Sequence, residues 1–206
     1  MGEITLLNTD CMTYMAAQPD NAFDLAIVDP PYGLGDRLCD GGGKLKDRKY
    51  IQQYKDNKFD HSIPIPLYFI ELKRISKNQV IWGGNYFNLP PTRGIICWDK
   101  EQPMPSLSKW EMAWTSFDKV AEIWRGRSQD SYRIHPTQKP MRLYQWILET
   151  YSKPGERILD THLGSGSSAI AAHYFGCDFV GCEIDKDYYD AAVNRFNNET
   201  AQEALF

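Results

Sequence analysis

The chain has 206 residues, of which 24% are charged, 42% hydrophobic and 13% aromatic, enough for one sizeable core, since domains usually run roughly 100 to 200 residues. With 23 Lys+Arg against 27 Asp+Glu its net charge is −4, so whole-chain electrostatics give no support to a nucleic-acid partner. The start, MGEITLLNTD, shows no basic segment followed by an apolar run, and the five cysteines (Cys11, Cys39, Cys97, Cys177, Cys182) form no C-x-x-C pair; the expectation is a soluble, cytoplasmic protein without membrane helix, disulfide framework or zinc site.

In chain order, strand-like runs occupy Ile4 to Leu7, Phe23 to Val28, Gln79 to Trp82, Gly94 to Trp98, Met112 to Phe117, Arg157 to Leu163 and Phe179 to Cys182. Several are continuously apolar rather than alternating, as expected of strands covered on both faces. Helical patterns lie between them. Ile65, Phe69 and Leu72 follow Pro64; Leu143, Trp146 and Ile147 follow Pro140; Ser167 to Phe175 is a compact apolar helix closed by Gly176, with Ser167 or Ser168 available as a cap; Asp187 to Phe196 carries Tyr188, Ala191, Ala192 and Arg195 at helical spacing. Strands alternating with helices predict an α/β fold, a doubly wound and mostly parallel sheet. The runs at 94–98 and 112–117 have only a loop between them, which predicts an antiparallel hairpin at one edge.

Two stretches break the rhythm. Residues 33–62 hold Gly41-Gly42-Gly43 and no sustained apolar face, so they read as a flexible loop or lid. Residues 118–134 read as a second irregular connection. Both regions are basic. Lys44, Lys46, Arg48, Lys49, Lys55 and Lys58 against Asp47 and Asp56 give +4, and Lys119, Arg125, Arg127, Arg133, Lys139 and Arg142 against Glu122 and Asp130 give +4 again. From Asp178 onward seven acids face two bases, so charge is segregated along the chain.

Three motifs carry the chemistry. Asp29-Pro30-Pro31-Tyr32 directly follows an apolar strand, at the edge of an α/β sheet where ligands bind. Its prolines fix φ and leave carbonyl acceptors beside a carboxylate and an aromatic ring, which suits a planar ligand bearing an NH2 group; the bland alternative is a Pro-terminated strand with a solvent-facing Tyr. Asp160-Thr161-His162-Leu163-Gly164-Ser165-Gly166-Ser167 is a strand end, a glycine loop and a helix start, and a second strand ends in Glu183 about 20 residues later, the spacing that sets a carboxylate on a ribose diol. Ala169 breaks the dinucleotide fingerprint, so a nucleoside cofactor without a pyrophosphate fits better than NAD. The third motif, His135-Pro136-Thr137-Gln138-Lys139-Pro140, stands ahead of a helix.

Together these residues resemble the β-group of S-adenosylmethionine-dependent DNA amino-methyltransferases, which methylate adenine N6 or cytosine N4, and among them the small phage-type members. The order matches: Asn8-Thr9-Asp10-Cys11 and Asp-Pro-Pro-Tyr come first, then His-Pro-Thr-Gln-Lys-Pro, then the Gly-Ser-Gly loop. The resemblance implies a Rossmann-like sheet of seven strands in one domain, with a catalytic half (1–134) and a cofactor-loop half (135–206). It implies Asp29, Pro30, Pro31 and Tyr32 as the catalytic group. Around the cofactor it implies Asp10, Cys11, His135, Lys139, Asp160, His162, Gly164, Ser165, Gly166, Ser167 and Glu183. The family's usual Asp-Pro-Phe is Asp160-Thr161-His162 here, so His162 takes the place of an aromatic contact. No metal is required.

An exocyclic amine has its lone pair delocalised into the ring and is unreachable inside a duplex, so the implied substrate is a base flipped from double-stranded DNA. Tyr32 would stack on it while Asp29 and the Pro30 carbonyl accept its N–H bonds. Lys44, Lys46, Arg48, Lys49, Arg125 and Arg127 would hold phosphates. Asp rather than Ser at the head of the tetrapeptide favours adenine within the resemblance. The alternatives are cytosine N4, an RNA or protein amide nitrogen, or a silent DNA-binding module. About 17 residues separate the hairpin from His135, too few for a separate target-recognition domain, so DNA reading would fall to a short target sequence, the 33–62 loop or a second subunit of a homodimer.

Overall fold

The computed structural model describes residues 2–35, 60, 62–103, 108–127, 134–135 and 137–201. Lys44, Lys46, Arg48 and Lys49, and most of the 33–62 loop, lie outside the described residues. Among the described residues eight strands, β1 (Ile4–Asn8), β2 (Phe23–Val28), β3 (Ser76–Trp82), β4 (Ile95–Asp99), β5 (Trp110–Thr115), β6 (Glu122–Arg125), β7 (Arg157–Asp160) and β8 (Asp178–Glu183), form one sheet in the order β1-β8-β7-β2-β3-β5-β4-β6. Neighbours run parallel except at β5, which is antiparallel to both β3 and β4. The described helices are α1 (Cys11–Ala16), α2 (Pro66–Ile75), α3 (Met141–Tyr151), α4 (Ser167–Phe175) and α5 (Lys186–Thr200).

The continuous apolar runs have the expected cause. In β2, Ala26 and Val28 pack with Met15 of α1 and Tyr68, Leu72 and Ile75 of α2, while Leu25 and Ile27 pack on the other face with Leu143, Ile147 and Leu148 of α3. A central strand buried on both sides needs apolar residues at successive positions. Helix α3 turns a stripe of Leu143, Tyr144, Ile147, Leu148 and Tyr151 to the sheet, the 3.6-residue period of a one-sided helix. The first six residues of α4 are all buried, which accounts for its small-residue, uniformly apolar sequence. Gly166, at φ 75°, is the N-cap of α4; neither Ser167 nor Ser168 caps the helix, and Ser168 instead donates to the Asp160 carboxylate at 2.6 Å.

The doubly wound α/β class therefore holds, with eight strands in place of seven. The added strand is β6, inside the stretch expected to be irregular; it is four residues long, pairs parallel with β4 and leaves Ile123 and Arg125 exposed. A short edge strand covered on one face has no apolar run to announce it. Its presence moves the β4–β5 hairpin one place in from the edge. Helix α1 was not signalled either: it has six residues and one fully buried side chain, Met15.

Strands β2 and β7 are neighbours (Leu25↔Ile158, Ala26↔Leu159). From β2 the chain crosses through α2 to β3 on one side, and from β7 it crosses through α4 to β8 on the other. The crevice above their carboxyl ends is a topological switch point, where open α/β sheets bind ligands. Among the described residues no helix is long and apolar enough to cross a membrane. Ile147, fully buried between α3 and the sheet, should lose about 2–5 kcal/mol of stability as Ile147→Ala in urea denaturation, whereas Val120→Ala, at a side chain 63% exposed, should stay within about 0.5 kcal/mol.

Candidate active site

A cavity of about 1500 Å³ opens above the carboxyl ends of β1, β8, β7 and β2 and is walled on one side by the β4–β5 hairpin. Of the residues expected at the site, Asp10, Cys11, Asp29, Pro30, Pro31, Tyr32, His135, Lys139, His162, Gly164, Ser165 and Glu183 line it. Asp160, Gly166 and Ser167 do not.

At one end stands Asp29, the first residue after β2. Its Oδ1 accepts the Tyr32 hydroxyl and its Oδ2 the Lys139 ammonium. Lys139 is buried, and its Nζ is also 3.3 Å from Glu111 Oε2 on β5. Glu111 in turn pairs with Lys100 through Oε1. Burial opposes the charge on Lys139, but the Asp29 and Glu111 carboxylates outweigh it and hold the ammonium above the ordinary lysine range. For Glu111 burial pushes upward while Lys139 and Lys100 pull further downward, so it stays ionised. Burial and the neighbouring Asp29 push the Tyr32 phenol well above its usual value. The site thus alternates two anions with two cations.

Backbone contacts fix the tetrapeptide. Asp60 accepts the N–H groups of Tyr32 at 2.5 Å, Gly33 at 3.0 Å and Leu34 at 3.2 Å, an anion held in a turn of successive amides. The Tyr32 ring stacks on Tyr86, with centroids 4.9 Å apart and planes 13° from parallel, and meets Phe87 edge-on. Gly83, at φ +69°, lets the chain pass here: a Cβ at that position would lie 2.2 Å from the Tyr32 ring.

At the other end, Glu183 closes β8. Its Oε2 accepts Gly164 N–H at 2.9 Å and its Oε1 accepts Asp185 N–H at 3.0 Å, and burial raises its carboxyl. Strand pairing Asn8↔Glu183 brings Asp10 alongside, where Asp10 caps α1 through the Thr13 N–H at 2.8 Å. The His135 ring meets Tyr188 edge-on at 4.4 Å and lies 3.7 Å from where a Cβ on Gly164 would stand. His162 meets Tyr68 edge-on at 5.6 Å, and its Nδ1 is 2.9 Å from Thr161 Oγ1. Burial pushes both His135 and His162 down to about 4, so both rings are neutral near pH 7. Burial also pushes the Cys11 thiol up to about 12, leaving little thiolate.

The structure redistributes some expected residues. Lys139, expected at the cofactor, sits with Asp29 and Glu111 instead, because those are the carboxylates able to neutralise a buried ammonium there. Ser167 turns its hydroxyl to Arg195 at 2.8 Å, Gly166 packs on Ala192, and Asp160 lies behind the loop, accepting His162 N–H at 3.0 Å and the Ser168 hydroxyl. Arg125 and Arg127 are exposed on and after β6, with Arg125 3.5 Å from Asp99. Glu111, Lys100, Asp60 and Tyr86 join the site from outside the three motifs. Glu111 alone has a signal, a charged residue opening an apolar strand; Asp60 and Tyr86 meet Tyr32 from distant segments, and Lys100 meets Glu111 only across the β4–β5 hairpin.

Burial raises the Asp160 carboxyl to about 7. The folded chain therefore binds this proton more tightly than the unfolded chain, whose aspartate titrates near ~3.9, and stability from this group falls as pH rises from about 4 to 7. Asp160→Asn keeps an acceptor for His162 N–H and should flatten that slope in denaturation curves taken at pH 5 and pH 7.5.

The sequence profile of the N6/N4 methyltransferase family, described as DNA methylase, matches residues 71–194. The type II methyltransferase M2.DpnII of Streptococcus pneumoniae is 23% identical, over 96% of this chain and 91% of that protein. Among solved structures, the M1.HpyAVI complex with SAM superposes with a TM-score of 0.61 at 19% identity, covering 94% of this chain and 99% of that one. PvuII DNA methyltransferase, cytosine-N4-specific, superposes with a TM-score of 0.64 at 12% identity, covering 98% and 91%. The family profile spans more than half of the chain, including the strands that carry Glu111, Asp160 and Glu183 and the helix that follows Lys139: this protein belongs to the N6/N4 family of DNA methyltransferases.

Proposed function

We propose that the protein methylates the N6 amino group of adenine in double-stranded DNA, with S-adenosylmethionine as cofactor. The observation that carries this reading is that the Asp29–Tyr32 turn and the Glu183–Gly164 pair open into one cavity. The donor set suits a nucleoside: Glu183 has spent one lone pair of each oxygen on a backbone amide, and a carboxylate has about four such sites, leaving acceptors for a diol. Asp10 adds a second acid, Gly164 an approachable backbone, and His162, Tyr188 and Ile184 flat or apolar surfaces. S-adenosylmethionine supplies an electrophilic methyl group and leaves as S-adenosylhomocysteine.

At the other end of the cavity, Asp29 and the Pro30 carbonyl accept the two N–H bonds of an amino group. That draws the nitrogen toward tetrahedral geometry, localises its lone pair and stabilises the positive charge that develops on it, and the methylated nitrogen then sheds its extra proton to water. The aromatic ring of Tyr32, backed by Tyr86, offers the base a stacking surface. Cys11 stays a thiol at neutral pH, so attack through a cysteine adduct finds no support. Residues 1–134 act as the catalytic half and 135–206 as the cofactor half of a single unit, with Lys139 reaching from the second into the first. Arg125 and Arg127, exposed beside the hairpin, hold DNA phosphates. Adenine rests on Asp rather than Ser at position 29; cytosine N4 is the second reading, since the same acceptors bind its amino group and a cytosine-N4-specific enzyme shares the fold.

Incubation of unmethylated DNA with labelled cofactor, followed by digestion to nucleosides, should yield N6-methyl-2′-deoxyadenosine; N4-methyl-2′-deoxycytidine would select the second reading, and no label in either would defeat both. Asp29→Ala should lower kcat by about 100-fold or more while cofactor binding persists. Glu183→Ala should weaken cofactor binding about 10- to 100-fold in titration calorimetry, as expected for loss of hydrogen bonds to a charged acceptor, with the melting temperature little changed.

A further inference from the structure

Both carboxylate oxygens of Asp29 carry a donor, the Tyr32 hydroxyl on Oδ1 and the Lys139 ammonium on Oδ2. An amino group bound at Asp29 competes with these donors for its lone pairs. Lys139 cannot simply retreat, since its side chain is 3% exposed and a buried ammonium without an anion is costly. Glu111 is where it can go: Oε2 is already 3.3 Å from Nζ, and it belongs to a different element, β5. We infer that Glu111 is a positioning residue for the transfer reaction, taking up the Lys139 ammonium so that Asp29 can turn an oxygen to the amino group of the base. This rests on the function proposed above.

The titratable and charged groups around Lys139 are Asp29 and Tyr32 after β2, Glu111 on β5 and His135 in its own loop, with Lys100 behind Glu111 and Tyr144 of α3 beside the same two carboxylates; the Trp82 ring of β3 lies 5.1 Å from Nζ. Tyr144 and Tyr32 are held protonated and His135 neutral, so Glu111 is the second anion in this set. Its Oε1 is tied to Lys100, which keeps the carboxylate ionised and Oε2 turned toward Lys139. When Lys139 shifts by a short distance between two carboxylates, its ammonium keeps an anion throughout, while Asp29 retains the Tyr32 hydroxyl and faces the positive charge that develops on the amino group.

Glu111→Gln keeps the size of the side chain and removes the charge. Its kcat at neutral pH should fall about 100-fold, as for a reacting group held out of place, with KM for DNA and cofactor nearly unchanged. The residual rate should climb at alkaline pH, because a deprotonated Lys139 releases Asp29. In 15N-lysine NMR of the protein alone, Lys139 should lose its proton at a lower pH in Glu111→Gln than in the wild type, and that midpoint should match the rise in rate. Glu111→Asp should restore part of kcat. A wild-type kcat in Glu111→Gln would overturn the inference, as would a loss without the alkaline recovery or an unmoved Lys139 titration. An inactive wild type would overturn the functional reading as well, which separates the two failures.

Discussion

Lys139 buries its ammonium between Asp29 and Glu111, and three segments far apart in sequence meet at that point: the turn after β2, the first residues of β5 and the loop before α3. A lone ammonium in such a place would be expelled or neutralised. Two carboxylates keep it charged, and the ammonium in turn holds them together, so none of the three segments can shift without exposing an unpaired charge. Removing one member of a buried pair typically costs about 3–5 kcal/mol for this reason. The orientation of the Asp29 carboxylate, and with it that of the Tyr32 ring, follows from this arrangement.

The sheet supplies the rest of the geometry. Because β2 and β7 are neighbours whose chains leave in opposite directions, no crossover helix covers their carboxyl ends, and the residues just past each strand face one crevice. Asp29 follows β2, Gly164 follows β7, Glu183 closes β8 and Asp10 follows β1. Each acid is only partly withdrawn from water and keeps acceptors toward the cavity. The interior behind them behaves differently. Asp160 is fully buried and gains only two hydrogen bonds, so its carboxyl titrates near 7 while it holds the glycine loop through His162 N–H and Ser168.

The net charge of −4 conceals this segregation. Basic residues concentrate before and after the hairpin, acids in the C-terminal part, of which Glu183 and Asp185 line the cavity. Of the six basic side chains expected to meet DNA, Arg125 and Arg127 are described, and both are exposed near the wall that Glu111 and Lys100 build from the inside.

Strand runs buried on both faces, the stripe of α3, the small-residue helix α4 and the three motifs were all legible in the sequence, because each is a local pattern of apolarity, turn chemistry or spacing. Their order along the chain was enough to indicate the family. Edge strand β6 and helix α1 left no such pattern, being short and half exposed. The roles of Lys139 and Glu111 lie beyond any local reading: Lys139 stands 110 residues from Asp29, and its motif neighbours suggested the cofactor end. Only the folded chain decides which carboxylate a buried ammonium meets, since that choice is set by which strand ends the topology brings together and by the energetic need to pair every buried charge.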